Sequence, residues 1–111
     1  MQLHTVTGFP KLPPFASLGF HFSKWENTDA QKLISRLDVF DKYAFPVDVL
    51  WLDIQWCNWQ NSGAFEFFRF NPANFKEPDL IALKSKLAEK GRKMTVILDP
   101  HLKVSKHYSV Y

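Results

Sequence analysis

The chain has little cysteine and no long apolar run. Its single cysteine, Cys57, cannot form an internal disulfide, so cysteine usage does not indicate a redox compartment. No window approaches the roughly 18 consecutive apolar residues of a membrane span, and Met1 is not followed by a basic region and an apolar stretch. The pattern therefore predicts no membrane span in this segment.

Glycine and concentrated charge are also scarce, and each scarcity removes a class of function. The four glycines include no Gly-x-Gly-x-x-Gly motif after the first predicted strand, which argues against dinucleotide binding. The net charge is +3, but the basic residues are scattered, with no run longer than Arg92-Lys93, so we expect no nucleic acid partner. The histidines lack the paired spacing of zinc or iron ligands, so we expect no metal. These histidines are His4, His21, His101 and His107.

Aromatic residues, in contrast, are abundant. They make up 16% of the 111 residues, with eleven Phe and four Trp. Aromatic side chains fill hydrophobic cores, and they also line sugar sites. A chain of this length has the size of one domain and buries roughly two thirds of its unfolded surface.

Two short apolar runs end in aspartate and predict the functional edge of the fold. Residues 47–53 follow Pro46 and end at Asp53, and residues 94–99 end at Asp99 before Pro100. Short, almost wholly apolar runs are typical of buried parallel strands. Ligand sites of parallel sheets lie at the carboxyl ends of the strands, so both aspartates are candidates for function.

The remaining pattern predicts alternating strands and helices after a stiff, proline-rich lead-in segment at residues 1–15. Thr28 and Gln31 have the spacing of a capping box for the first helix, and Gly91 is placed to end the second. Residues 55–75 predict a long aromatic loop. The predicted elements are strands at residues 16–23, 47–53 and 93–98, and helices at residues 29–42 and 78–90. This order favours an α/β fold with a parallel sheet, either open or the first third of a barrel.

Six short segments, in this order, resemble glycoside hydrolase family 31, the retaining α-glucosidases, over nearly the whole chain. They are Thr7-Gly8 with Leu12-Pro13-Pro14, Leu18-Gly19-Phe20-His21 with Ser23-Lys24-Trp25, residues 46–54, Phe70-Asn71-Pro72 with Phe75, Gly91-Arg92-Lys93, and Asp99-Pro100-His101. The resemblance implies that residues 1–111 are the N-terminal part of a (β/α)8 TIM barrel, about three βα units. It also implies that the catalytic nucleophile and acid/base are aspartates beyond Tyr111, so that no catalytic residue lies in this segment and no cofactor is needed.

The resemblance assigns three substrate-binding residues. Asp53 is expected to bind outer hydroxyls of the glucose in the subsite where the bond breaks; otherwise it only caps the loop after strand two. Trp25 is expected to cover the apolar side of the sugar ring, with a core aromatic as the alternative. Ile97 is expected to form part of the pocket wall, although an isoleucine in a strand is usually a core residue.

A second group of residues is expected at the rim. Asp99 and His101 would support the side chains that contact the sugar. Trp56 or Trp59 would either stack on the next sugar or pack the loop down, because residues 55–63 depart from the acidic and Asp-Gly pattern common in the family. His21 is expected to be a buried, hydrogen-bonded histidine.

The expected function of the whole protein is hydrolysis of terminal α-linked glucose from oligosaccharides or N-glycans with retention. Two alternatives remain open at this point: a non-catalytic carbohydrate-binding relic of the same fold, and an unrelated α/β barrel enzyme acting on a phosphorylated substrate. The ending from Asp99 to Val104 favours the endoplasmic reticulum branch of the family. That branch implies the endoplasmic reticulum lumen and a regulatory β subunit as partner.

Overall fold

The computed structural model describes residues 2–58, 66–100, 102–104, 106, 108 and 110. His101 and Trp59, which the sequence analysis singled out, lie outside these residues. In chain order the elements are α1 (Gln2–Thr7), β1 (His21–Lys24), α2 (Ala30–Lys42), β2 (Val49–Leu52), β3 (Cys57–Asn58), β4 (Glu66–Phe70), α3 (Glu77–Ala88) and β5 (Lys93–Val96). Two short 3₁₀ turns, Phe15–Leu18 and Ile54–Trp56, complete the list.

The centre of the fold is a parallel sheet of three strands in the order β1-β2-β5. Ser23 pairs with Trp51, and Trp51 pairs with Thr95, so the three strands are aligned without a bulge. The order strand, helix, strand, helix, strand that the sequence predicted is therefore confirmed. The observed strands are shorter than predicted. Strand β2 begins at Val49, and β5 ends at Val96.

Helices α2 and α3 both pack on one face of this sheet. Leu50 and Leu52 of β2 are each 1% exposed, and they meet Leu37 of α2 and Leu83 of α3 in the hydrophobic core. Phe22 of β1, with Met94 and Val96 of β5, packs against the same cluster. We call this side of the sheet the helix-covered face, and the side turned away from α2 and α3 the open face.

The start of α2 differs by one residue from the predicted capping box. Asp29, not Thr28, is the N-cap residue, and its Oδ1 accepts a hydrogen bond from the Lys32 backbone N–H at 2.8 Å. Gln31 does not reach back to the cap, since its Nε2 donates to Asp79 of α3 at 2.7 Å. An aspartate accepts hydrogen bonds at an N-cap as well as a threonine does, so Asp29 takes the role that was predicted for Thr28.

The first predicted strand is shorter and begins later than expected. Residues 15–18 form a 3₁₀ turn in place of extended strand, and β1 covers only His21–Lys24. Ser17 explains the difference, because its backbone N–H and its hydroxyl both donate to the Pro14 carbonyl, at 2.9 and 2.7 Å. Serine competes for backbone groups in this way and favours turns over strands. Before this turn, α1 is a six-residue helix without a buried residue, which the sequence analysis did not predict.

The predicted loop at residues 55–75 contains an antiparallel hairpin. Strand β3 pairs with β4, with Cys57 opposite Phe70 and Asn58 opposite Glu66, and the register shifts between these two pairs. Phe67 of β4 is fully buried, and Asn71 after the hairpin is 2% exposed. The interpretation of this segment as loop was therefore wrong over β3 and β4.

Candidate functional site

Trp25, Asp53 and Ile97 lie at the same level of the sheet. In the observed pairing, Lys24 is opposite Leu52 and Leu52 is opposite Val96. Continuing that register by one residue places Trp25 beside Asp53 and Asp53 beside Ile97. The Ile97 backbone N–H donates to the Leu52 carbonyl at 3.2 Å, so the hydrogen bonding between β2 and β5 extends past the end of β5. The structure thus brings the three predicted substrate-binding residues to one edge.

The same three residues belong to the open face. Leu50 and Leu52 fill the core under the helices, and side chains alternate between the two faces of a strand. Val49, Trp51 and Asp53 therefore belong to the other side, as do Thr95 and Ile97. A carboxylate, an indole and an aliphatic wall at the carboxyl ends of parallel strands are suited to hold a small polar ligand.

Asp53 is held by the turn that follows it. Its Oδ1 accepts a hydrogen bond from the Ile54 backbone N–H at 2.8 Å, and its carbonyl accepts one from the Trp56 N–H at 3.0 Å. Asp53 is the N-cap of this 3₁₀ turn. Its second oxygen, Oδ2, receives no hydrogen bond from any residue that the structure describes. The carboxylate thus combines the capping role with a free acceptor, and hydrogen bonds to a charged acceptor are about twice as strong as neutral ones.

Trp56 connects the turn to the third strand. Its indole Nε1 donates to the Ile97 carbonyl at 2.9 Å, and its side chain is only 3% exposed. Its ring also meets Phe70 edge-on, with the ring centroids 5.1 Å apart. A buried ring cannot serve as an exposed stacking platform, so the structure supports the alternative that Trp56 packs the loop down. The contact fixes the backbone of Ile97 on the side of the site.

Trp25 follows β1 and is 71% exposed, so within the described residues it is not a core aromatic. The next residue, Glu26, anchors this part of the chain. Its carboxylate pairs with the Arg36 guanidinium of α2 and, at 3.0 Å, with Lys24 Nζ. The hydrogen bond from Arg36 is the main cause that lowers the pKa of Glu26. The backbone that carries Trp25 is thereby tied to the outer helix while the indole itself stays accessible.

Cys57 begins the hairpin, and the charge of Asp99 acts on its thiol. The Cys57 side chain is fully buried, and its Sγ donates to the Ile54 carbonyl at 3.0 Å. Burial, and then the nearby charges of Asp99 and Glu66, raise the pKa of the Cys57 thiol to about 11. A thiol in this state is not a nucleophile at neutral pH. Asp99 itself is half-buried.

The sequence analysis missed a buried carboxylate in the hairpin. Glu66 is 6% exposed, accepts a hydrogen bond from Asn58 Nδ2 at 2.7 Å and lies 3.6 Å from Lys103 Nζ. This arrangement ties β3, β4 and the segment after β5 together beside the site. The available signal was the apolar, β-prone composition of residues 66–70, which predicts a strand once a partner strand is recognised.

Two further observations concern the described residues as a whole. No three His, Cys, Asp or Glu side chains among them are grouped so as to hold a metal ion. Among the helices formed by these residues, none has the length and apolar character needed to cross a membrane.

Comparison with known proteins shows relatives along the whole segment. The chain is 36% identical over 110 residues to human neutral alpha-glucosidase AB, and the match covers 99% of this chain and 11% of that protein. It is thus a short segment by comparison, about a tenth of the length of the curated relatives it matches.

Solved structures show the same likeness. The glucosidase II alpha subunit, bound to Glc1Man2 or in the ER heterodimer with the binding domain of the regulatory subunit, shares 32% identity and a TM-score of 0.73, over 85% of this chain and 9% to 10% of those chains. A family 31 alpha-glucosidase from Bacteroides thetaiotaomicron gives a TM-score of 0.76 at 27% identity, over 99% of this chain and 18% of that one.

The family comparison agrees with these matches and with the parallel sheet. The sequence model described as "Glycosyl hydrolases family 31 TIM-barrel domain" matches residues 10–111. In such a barrel, parallel strands surround an interior and the helices lie outside, which accounts for the two different faces of the sheet. The chain belongs to glycosyl hydrolase family 31 and is a part of its TIM-barrel domain.

Proposed function

We propose that the protein carrying this chain is a retaining α-glucosidase that hydrolyses terminal α-linked glucose. Membership of a family whose named relatives are alpha-glucosidases carries this proposal. The position of Trp25, Asp53 and Ile97 supports it, because active sites of TIM barrels lie at the carboxyl ends of the strands. In a retaining mechanism one carboxylate attacks the anomeric carbon, another protonates the leaving oxygen, and water completes a second displacement. This segment supplies groups that bind the sugar and not those two carboxylates.

Asp53 is proposed to accept hydrogen bonds from two adjacent hydroxyls of the glucose held at the reacting subsite. Its unused Oδ2 is available for this, and the bond from Ile54 N–H to Oδ1 fixes the direction of the carboxylate. Trp25 covers the apolar face of the ring, and Ile97 closes the third side. Asp99 is proposed to act at the rim without touching the sugar.

The substrate and partner follow by likeness to glucosidase II. That protein has been solved with Glc1Man2 and with the binding domain of its regulatory subunit. We propose an N-glycan or a related α-glucoside oligosaccharide as substrate, a regulatory β subunit as partner and the endoplasmic reticulum lumen as location. Expression with and without a β subunit, followed by co-purification, tests the partner.

The central test separates sugar binding by Asp53 from capping. Asn caps a turn as well as Asp does, so Asp53→Asn keeps the bond to Ile54 and removes only the charge. In the full-length protein we expect this variant to lower kcat/KM for a chromogenic α-glucoside by about 30-fold or more, since a hydrogen bond to a charged group contributes about 1.5–3 kcal/mol or more when it strengthens in the transition state.

Asp29→Asn is the matched control, because Asp29 Oδ1 also caps a helical turn by accepting a backbone N–H bond and Asp29 is not one of the proposed sugar-binding residues. It should leave kcat/KM unchanged. Near-normal activity of Asp53→Asn would remove Asp53 from the site, and a wild-type protein that binds glucose without hydrolysing α-glucosides would identify a carbohydrate-binding relic. An NMR spectrum of the first product distinguishes retention, which releases α-glucose, from inversion.

A further inference from the structure

His21 and Trp51 form a hydrogen-bonded pair on the open face. The Trp51 indole Nε1 donates to His21 Nδ1 at 2.8 Å, and the two rings are tilted by 42° with their centroids 5.9 Å apart. His21 belongs to β1 and Trp51 to β2, so the bond crosses between strands. The sequence analysis expected a buried, hydrogen-bonded histidine; the structure identifies the donor, but His21 is only half-buried. This bond fixes the plane of the indole, which otherwise rotates about its side-chain torsions.

The pair lies directly below the proposed site. Trp51 of β2 precedes Asp53 by two residues, a separation of roughly 6.6 Å along extended chain, and the alternation of β2 continued by one residue puts both on the open face. Ser23, opposite Trp51, precedes Trp25 by the same spacing, and Thr95 precedes Ile97. The indole therefore occupies the level immediately beneath all three proposed sugar-binding residues.

The indole is less buried than its neighbours in the strand. Trp51 is 37% exposed in the described structure, whereas its neighbours Leu50 and Leu52 are each 1% exposed. It lines a cavity of about 400 Å³ together with His21, Val49 and Thr95. The Trp51 ring therefore lies on the open face, and its hydrogen bond to His21 sets its orientation there.

The hydrogen bond also determines how His21 is used. Because Nδ1 accepts from Trp51, a neutral imidazole carries its proton on Nε2. Nε2 is buried and has no hydrogen-bond partner among the described residues. Nε2 is therefore a buried donor without an acceptor in the described part of the chain.

We propose that His21 and Trp51 are positioning residues for glucose binding: His21 orients the Trp51 indole, and the indole forms the floor that supports Asp53 in its sugar-binding direction. This inference rests on the proposed function. The Asp53 carboxylate receives one hydrogen bond from the described residues, to Oδ1 from Ile54 on the rim side, and the indole lies at the next level below it. The pair acts through Asp53 and makes no contact with the sugar.

Four variants of the full-length protein test the pair. Trp51→Phe keeps a ring and removes the donor, His21→Leu removes the acceptor, and the double variant removes both. His21→Asn retains an acceptor oxygen close to the position of Nδ1. We expect each of the first two to lower kcat/KM for a chromogenic α-glucoside on the order of ten-fold, because small displacements of binding groups have effects of this size. We expect the double variant to lose no more kcat/KM than the single variant with the larger loss.

For each variant we would also measure the glucose affinity by calorimetry and the midpoint of thermal unfolding. A positioning role predicts that His21→Asn recovers most of the affinity and kcat/KM that His21→Leu loses. Equal losses of affinity and kcat/KM in the two His21 variants, or additive losses in the double variant, would overturn the proposed role of the pair. Should His21→Leu fail to fold, the comparison of Trp51→Phe with wild type decides, since that change keeps the ring and most of its volume.

The two proposals fail in different ways. Active wild-type protein whose Trp51→Phe variant is equally active overturns the pair and leaves the proposed function standing. Wild-type protein that binds glucose without hydrolysing α-glucosides overturns the proposed activity, and the glucose affinities of the variants then decide the pair. Wild-type protein that neither hydrolyses α-glucosides nor binds glucose overturns both.

Discussion

The helix-covered face and the open face of the same three strands are built differently. On the helix-covered face, Leu50 and Leu52 are buried in a core to which α2 and α3 contribute leucines. On the open face, Trp51 is 37% exposed and His21 uses a directed hydrogen bond. Apolar burial is non-directional and contributes stability, whereas hydrogen bonds and rings at fixed angles contribute geometry. Because side chains alternate along a strand, one face of the strand contributes stability and the other contributes geometry.

The comparison predicts its largest difference for truncation of a side chain on each face. Leu50→Ala should lower the free energy of unfolding by about 2–5 kcal/mol, because it removes buried methylene groups and leaves a cavity in the core. Thr95→Ala, on the open face of the neighbouring strand, removes a half-buried side chain and should cost less than about 1.5 kcal/mol. Denaturant titration followed by tryptophan fluorescence measures both. An equal or larger loss for Thr95→Ala would contradict the division between the faces.

An intermediate effect on stability is expected just before β1 and β2. Gly19 lies against the Asp48 carboxylate, which accepts a hydrogen bond from the Phe20 N–H at 2.8 Å, and a Cβ added at Gly19 would collide with that carboxylate. Gly19→Ala should therefore destabilise the protein by about 1–3 kcal/mol, the usual range for overpacking. Thermal unfolding measures the change.

Gly91→Ala is a useful contrast to this substitution. Nothing lies within 4 Å of a Cβ added there, but its φ of +65° is strained for any L side chain. A double variant with Asp48→Ala should show non-additivity with Gly19→Ala and additivity with Gly91→Ala. Additive losses for Gly19→Ala and Asp48→Ala would contradict the proposed collision.

The smallest effect concerns an ion pair at the edge of the helix-covered layer. Asp41 accepts a hydrogen bond from Arg92 Nη2 at 2.6 Å and lies 2.8 Å from Lys90 Nζ, and these contacts, Arg92 first, lower the pKa of Asp41 to about 2. Because the unfolded-state pKa is about 3.9, the stabilisation is present above about pH 4 and is lost as the pH falls toward about 2.

The thermal midpoint of Asp41→Asn should accordingly fall less than that of wild type over this acid range. The measurement is thermal unfolding followed by circular dichroism across the same pH values. Parallel curves for the two proteins would show that the Asp41 contacts do not contribute. Raising the ionic strength should reduce the difference between the curves, since salt screens partly exposed charges.

Local sequence signals identified most of the helices and the parallel strands. The spacing of Thr28 and Gln31 predicted α2, and Gly91 marked the end of α3, although α3 ends at Ala88 and not at Lys90. Such signals are reliable because they depend on neighbours within a few residues. The hairpin escaped them because its register shift interrupts the regular alternation from which strands are recognised.

Local sequence signals also identified only some residues of the candidate site. Asp53 and Asp99 were selected from the ends of two apolar runs, without knowledge of the pairing. Trp25 and Ile97 required a family resemblance, since an aromatic after a strand and an isoleucine within one are ordinary core residues. Trp51 was missed, although counting back by two from Asp53 places it on the same face. Glu66 was missed because its partners, Asn58 and Lys103, are distant in the sequence.

The sequence by itself determined the order of strands and helices, the parallel arrangement and the aspartate at the end of strand two, because these follow from short-range periodicity and turn chemistry. Only the tertiary structure decided that Trp25, Asp53 and Ile97 share one level, that Trp56 is buried against Ile97 and that Trp51 donates to His21. Each of these depends on the register between strands, which is set by long-range packing of the helix-covered face. A shift of one residue would have preserved every local signal and moved these side chains to the opposite face.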